Sequence, residues 1–103
     1  MAEPIKMRVL LQSEIADIRI LMPHPMETGQ RKDEAGHGVP AHFIQTFTVS
    51  LNGAMLAEGQ LNTSISKNPL FGFKARGIRV GDRLAVQWID SKGEQRRDEI
   101  VVA

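Results

Sequence analysis

The sequence predicts an all-β fold, an immunoglobulin-like antiparallel β-sandwich of about seven strands, and three observations predict it. Apolar and polar residues alternate with a period of two in short stretches, the pattern of half-buried strands, while a sustained helical period is missing. Turn signals recur about every 8 to 12 residues, as they do along a sandwich. The 103 residues suit one domain, residues 1–103, which can bury a core without a disulfide or metal staple.

The first two strands are expected at residues 5–11 and 15–22, paired with each other, with Ile18, Ile20 and Met22 alternating against Asp17, Arg19 and Leu21. A third, at 43–51, should turn Phe43, Phe47, Val49 and Leu51 inward and Thr46, Thr48 and Ser50 outward. Asn52-Gly53 follows, and these two residues best tolerate the positive φ that both central positions of a type I′ hairpin turn require. Residues 54–61 should therefore pair back antiparallel. A strand over 70–75 carries Phe71 and Phe73, and Gly77 and Gly81-Asp82 punctuate the turn before Leu84, Val86 and Trp88. Phe47, Phe73 and Trp88 alternate as core residues should. Ser91-Lys92-Gly93 closes a further hairpin. The last strand, 95–102, begins highly charged and ends apolar, which suits an edge strand guarded against unwanted pairing. No Cys…Trp…Cys pattern is present, so the immunoglobulin likeness is one of architecture.

One connection does not fit the short-loop pattern. The segment 23–40 runs for about eighteen residues without a helical or strand pattern, and loops of that length are functional or disordered. Pro23, Pro25 and Pro40 each fix φ, and His24 and Val39, which precede prolines, are pushed toward extended geometry, so the segment is expected to hold one shape. Its chemistry is dense: His24, Met26, Glu27, Arg31, Lys32, Asp33 and His37, with His42 just beyond.

Composition narrows the function. The chain has no cysteine, which excludes disulfides, thiolate metal sites and a cysteine nucleophile and leaves the redox compartment open. Thirteen basic residues against twelve acidic ones give a net charge of +1, far from the excess of a phosphate-neutralising protein, so no nucleic-acid partner is expected. No apolar run reaches the length of a membrane span, so no membrane partner is expected either. The N-terminal stretch lacks the apolar core of a secretory signal and, taken alone, reads as cytoplasmic.

Chemical constellations are weighed against plainer roles. His24, His37 and His42, with Glu27 and Asp33, offer nitrogen and oxygen ligands, yet their spacing fits no compact metal motif. The plainer reading has His24 and His42 bonding the loop to itself and His37 in solvent; neither a metal nor a cofactor is expected. Ser64, Ser66, His42 and Asp33 lie on no nucleophile-elbow signature, so no catalytic residue is assigned. In Ser66-Lys67-Asn68-Pro69 the Asn-Pro step starts a turn, Ser66 and Asn68 can satisfy backbone amides, and Lys67 projects a cation. Lys67 is either a solvated turn lysine or, with Arg31 and Lys32, the border of a small anionic ligand or an acidic partner. Met26 suits either this domain's own core or a partner surface.

The stretches His24 to Gly29, Arg31-Lys32-Asp33, Gly36, Pro40 to Ile44, Asn52-Gly53, Ser66 to Pro69, Phe71, Phe73, Gly81-Asp82 and Trp88-Ile89-Asp90 together resemble the SoxZ family, in order and over nearly the whole chain. The segment 61–65 departs from the family pattern, which often has an aromatic residue and a glycine there. The resemblance implies a non-catalytic subunit with an immunoglobulin-like sandwich that forms a heterodimer with SoxY, whose cysteine-bearing C-terminal arm carries sulfur intermediates of thiosulfate oxidation. It implies a periplasmic protein exported with a partner bearing a twin-arginine signal, which overrules the cytoplasmic expectation, and transient contact with other enzymes of the sulfur-oxidising system. Partner contacts are then expected at His24, Met26, Glu27, Arg31, Lys32, His42, Ser66, Lys67 and Asn68. The isolated chain is expected to pair with itself where its partner is missing. Two rival readings remain: a module of this kind serving another carrier or dehydrogenase system, and a metal-binding redox sandwich built on His24 and His42.

Overall fold

A computed structural model describes residues 2–103, so Met1, which begins the N-terminal stretch read above, lies outside it. Seven strands form, β1 (Lys6–Gln12), β2 (Ile15–Leu21), β3 (Ile44–Leu51), β4 (Ala54–Gln60), β5 (Leu70–Arg76), β6 (Arg83–Asp90) and β7 (Gln95–Val101). They lie in two antiparallel sheets, one ordered β1-β2-β5 and the other β4-β3-β6-β7. The architecture is the all-β sandwich that the alternation predicts, with strand bounds within a residue or two of those expected.

The inner faces of the two sheets meet in one core. Ala16, Ile18 and Ile20 of β2 and Leu84, Val86 and Trp88 of β6 are buried as the period of two requires, joined by Val49 of β3 and Met22 just after β2. Each of the Val, Leu, Ile and Met side chains among them contributes roughly 1.5–3 kcal/mol when fully buried. The flanks are closed differently. On the side of β1 and β7, the inward-pointing Arg96 and Asp98 pair with each other at 2.8 Å, and Asp98 also accepts the Ile5 amide at 2.8 Å. On the side of β4 and β5, Phe47, Phe71 and Phe73 stack along the gap, with Phe47 and Phe71 centroids 4.5 Å apart. The Phe47 ring lies where a Cβ at Gly59 would sit, so β4 has a glycine opposite it.

The Asn52-Gly53 turn has φ of 52° and 86°, as the hairpin reading required. One inward assignment is corrected. Ile44, not Phe43, is the fully buried residue at the start of β3, and Phe43 is only half-buried. A register shift between Ile44 and Thr46 inserts an extra residue there and exchanges the two faces, after which Phe47, Val49 and Leu51 point inward as expected.

The strand ends sort into two poles. The turns at 13–14, 52–53 and 77–82 lie at one. At the other lie the N-terminal residues, the long segment between β2 and β3, the 61–69 connection and the β6–β7 hairpin, and this pole gathers most of the residues with chemical character.

Candidate functional site

The long segment after β2 has more strand character than its sequence suggests. Glu27 and His42 bond to each other through both backbone groups, at 2.7 and 3.0 Å, and Lys32 bridges Gly38 further out. Between these rungs the chain doubles back on itself as a finger whose tip is an Asx turn. Asp33 Oδ1 accepts the amides of Ala35 and His37, and Gly36 takes φ 84°. Arg31, Lys32, Asp33 and His37 on the finger are exposed. Sequence reasoning saw no strand here because an isolated two-rung ribbon buries no face and so needs no alternation.

The base of the finger is anchored by a buried polar hub. Asp90, the last residue of β6, falls on the inward side of the alternation that places Leu84, Val86 and Trp88 in the core, and is 2% exposed. Its Oδ2 meets Nε2 of His24 at 3.0 Å and Nε2 of His42 at 2.6 Å. Its Oδ1 accepts the amides of Lys92 and Glu94 at 3.0 and 2.9 Å. One carboxylate therefore ties together the finger's two feet and the β6–β7 hairpin. Burial alone would raise its pKa, but the two histidine bonds and two amide bonds outweigh burial and hold it below the ordinary carboxylate value.

His24 is oriented from both sides. The Met26 amide can only donate, and it does so to Nδ1 at 3.0 Å, so Nδ1 carries the lone pair and Nε2 the proton given to Asp90. Burial, with help from the nearby His42, lowers the His24 pKa against the pull of Asp90, and the ring stays neutral. Its ring and that of Trp88 form a T-shaped pair with centroids 5.0 Å apart and planes at 89°. Met26 is 5% exposed and accepts the Ile44 amide on its sulfur at 3.3 Å, from a backbone with φ 47°. Of its two roles the structure selects the core, and the side chain is removed from any partner's reach.

This geometry extends the plainer reading of the histidines. They do bond the loop to itself, His24 through the Met26 amide and His42 through its backbone rungs with Glu27, and both rings also reach across to Asp90 at the end of β6. It also bears on the metal reading, because His24, His42 and Asp90 place possible ligand atoms within 4.8 Å of one another. A cation on His24 Nε2 would need the proton moved to Nδ1, where it would face the Met26 amide donor. The constellation fits a hydrogen-bonded anchor better than a metal centre.

The 61–69 connection is stitched to the same base. The His24 amide donates to Asn68 Oδ1 at 2.9 Å, and the Asn68 amide donates to the His24 carbonyl at 3.0 Å, with Asn68 at φ 54°. The Met22 amide donates to the Pro69 carbonyl at 2.9 Å. Ser66, Lys67 and Asn68 are exposed beside the finger. Arg31 does not join Lys67 and Lys32 as a cationic border, because Glu27 takes it in a bidentate pair at 2.8 to 3.1 Å, which lowers the Glu27 pKa. A cavity of about 390 Å³ opens at this pole, lined by Pro23, His24, His42, Lys67, Asn68, Trp88, Glu94 and the N-terminal Ala2 and Glu3. A second, apolar hollow of about 480 Å³ lies on the far side of Lys67, among Phe47, Leu61, Ile65, Leu70 and Phe71.

The structure thus gathers Glu27, His42, Ser66, Lys67 and Asn68 at one pole, with Arg31 and Lys32 on the finger that rises from it and His24 and Met26 beneath as anchors. Asp90 is the residue that sequence reasoning left without a role. Its signal was present, an acidic residue on the inward phase of a core strand, but only the fold supplies the two histidines that explain it.

No curated protein matches the chain. A family model described as sulphur oxidation protein SoxZ matches residues 5–101, nearly the whole length and every strand of both sheets. The chain belongs to the SoxZ family of sulphur oxidation proteins.

Proposed function

We propose that this chain is the non-catalytic scaffold of a SoxYZ sulfur carrier complex, pairing with a SoxY subunit whose cysteine arm holds intermediates of thiosulfate oxidation, and that it works in the periplasm. The observation that carries this reading is the pole itself. A finger and a turn, each with exposed polar side chains, are locked to one another and to the core by the Asp90 hub and the His24–Asn68 stitches. Such a platform is preorganised, and a rigid surface loses little conformational freedom on binding. The chain has no thiol of its own, so covalent sulfur would ride on the partner. In this division of labour one subunit presents a mobile nucleophile and the other supplies shape and docking surface.

The test is co-expression with the neighbouring reading frame that encodes a glycine-rich cysteine arm, followed by co-purification and affinity measurement. Alanine at Glu27, Lys67 and Ser66, all outside the hub, is expected to weaken that affinity or to slow thiosulfate-dependent turnover. Unchanged values in both would overturn the assignment of this pole to partner recognition. Elemental analysis of the folded protein separates the carrier reading from a redox metal domain, and a metal-free protein is the expected result.

A further inference from the structure

We propose that the outer face of the β1-β2-β5 sheet is a second docking surface, which takes the acidic, partly apolar surface of an enzyme acting on the carrier complex. That the occupant is such an enzyme rests on the carrier reading above; that it is acidic rests on this face alone. The outward positions of β1, β2 and β5 hold Lys6, Arg8, Arg19, Lys74 and Arg76 against the single carboxylate of Asp17. The chain as a whole carries a net charge of only +1, so the positive charge is concentrated here. The outward face of the other sheet differs, because there Arg83 and Arg97 share Glu99 at 3.2 and 3.1 Å.

Of the five cations, only Arg19 and Arg76 have an acidic neighbour within 4.0 Å among the described residues, Asp17 and Glu14. Arg8 and Arg19 are direct cross-strand partners. Like charges placed opposite each other weaken a strand pair, so the face holds charge that the fold itself does not need. Arg19 also lies across β5. Gly72 is its partner there, and a Cβ on Gly72 would come within 2.9 Å of Arg19 Cδ and 3.0 Å of the Ile18 carbonyl.

Apolar side chains are set among the cations: Leu10 is 50% exposed, Ile15 37% and Leu70 67%. Phe71 and Phe73 of β5 point inward, so the face has no aromatic ring on which a base could stack. Cations mixed with exposed aliphatic groups complement a protein surface of opposite charge better than a nucleic acid. Three strands of seven residues give a face of roughly 10 by 20 Å between strand axes, the scale of a weak and transient contact. A carrier that must visit several enzymes needs contacts of that kind.

The experiment uses the chain in complex with its co-expressed cysteine-arm subunit, titrated with each purified sulfur-oxidation enzyme encoded beside it. For at least one enzyme, R8E/R19E/K74E is expected to weaken binding at least about tenfold, and wild-type binding is expected to fall between about 25 and 250 mM NaCl. Affinity for the cysteine-arm subunit should stay unchanged, and R83E/R97E on the opposite sheet should behave as wild type. If the triple reversal destabilises the fold, R8Q/R19Q/K74Q replaces it, with a smaller loss in the same direction. Unchanged affinity for every enzyme overturns the proposal. So does loss of the cysteine-arm subunit by the triple variant, which would make this face the heterodimer interface. Binding of the wild type to duplex DNA or anionic vesicles, lost on reversal while enzyme binding persists, would reassign the face to polyanions. Failure of the carrier reading shows separately, as a wild-type chain that does not co-purify with the cysteine-arm subunit.

Discussion

At the scale of single residues, most of what distinguishes this protein depends on Asp90. Its carboxylate accepts four hydrogen bonds from three segments, and its removal leaves two histidine rings and two amides without that acceptor. Asp90→Ala is therefore expected to cost about 2–4 kcal/mol, read as a lowered denaturation midpoint, and a loss under about 1 kcal/mol would contradict the hub. His24 makes the same region sensitive to acid. The folded ring resists protonation and its pKa lies below the ordinary 6.5, so as the pH falls through about 6.5 the unfolded chain takes up a proton that the folded state refuses. The stability that His24 contributes is thus whole above that value and declines below it. His24→Gln keeps a donor for Asp90 and cannot titrate. Its stability is expected to change less than wild type between about pH 7.5 and 5.5, and equal slopes would show that His24 is not the group responsible.

At the scale of elements, the finger and the 61–69 connection keep their shapes through backbone bonds that need particular side chains. Asn68 supplies both an acceptor for the His24 amide and a residue tolerant of φ 54°. Asn68→Ala removes the acceptor and strains the backbone, and should cost about 1–2 kcal/mol. Hydrogen exchange at the His24 amide should accelerate more than the global loss explains; exchange that tracks global unfolding alone would argue against the stitch. The Asn52-Gly53 hairpin was fully legible in the sequence because the turn's requirement is local. The finger was not, because its base rung joins residues fifteen apart, Glu27 to His42, and its outer rung, Lys32 to Gly38, has no buried face to impose a pattern. Ile44 was misplaced for a related reason, since the register shift after it arises from pairing with β6.

At the scale of the whole molecule, the sandwich is closed on the β1/β7 side by charge and on the β4/β5 side by rings. Arg96 first, and the Ile5 amide with it, holds the Asp98 pKa below the ordinary range against burial. Asp98 thus contributes stability at neutral pH that is lost as the pH falls through its lowered folded pKa. Asp98→Ala should release the N-terminal segment from β7, seen as fast exchange at Ile5 and a loss of about 1–3 kcal/mol. Protected exchange at Ile5 in that variant would show that β1 is held by other contacts. The same charged pair on the inner face of an edge strand discourages further strand addition at β7.

The sequence by itself determined the number and order of the strands, the hairpin turns, the core alternation and the family, since each depends on neighbours a few residues apart or on a pattern spread along the chain. Only the tertiary structure decided that Met26 belongs to the core, that His24 and His42 serve one carboxylate, and that five cations share one sheet face. Those facts depend on which strands lie side by side. The pairing of β2 with β5, and of β6 with the feet of the finger, joins residues dozens of positions apart, and local periodicity carries no information about that choice.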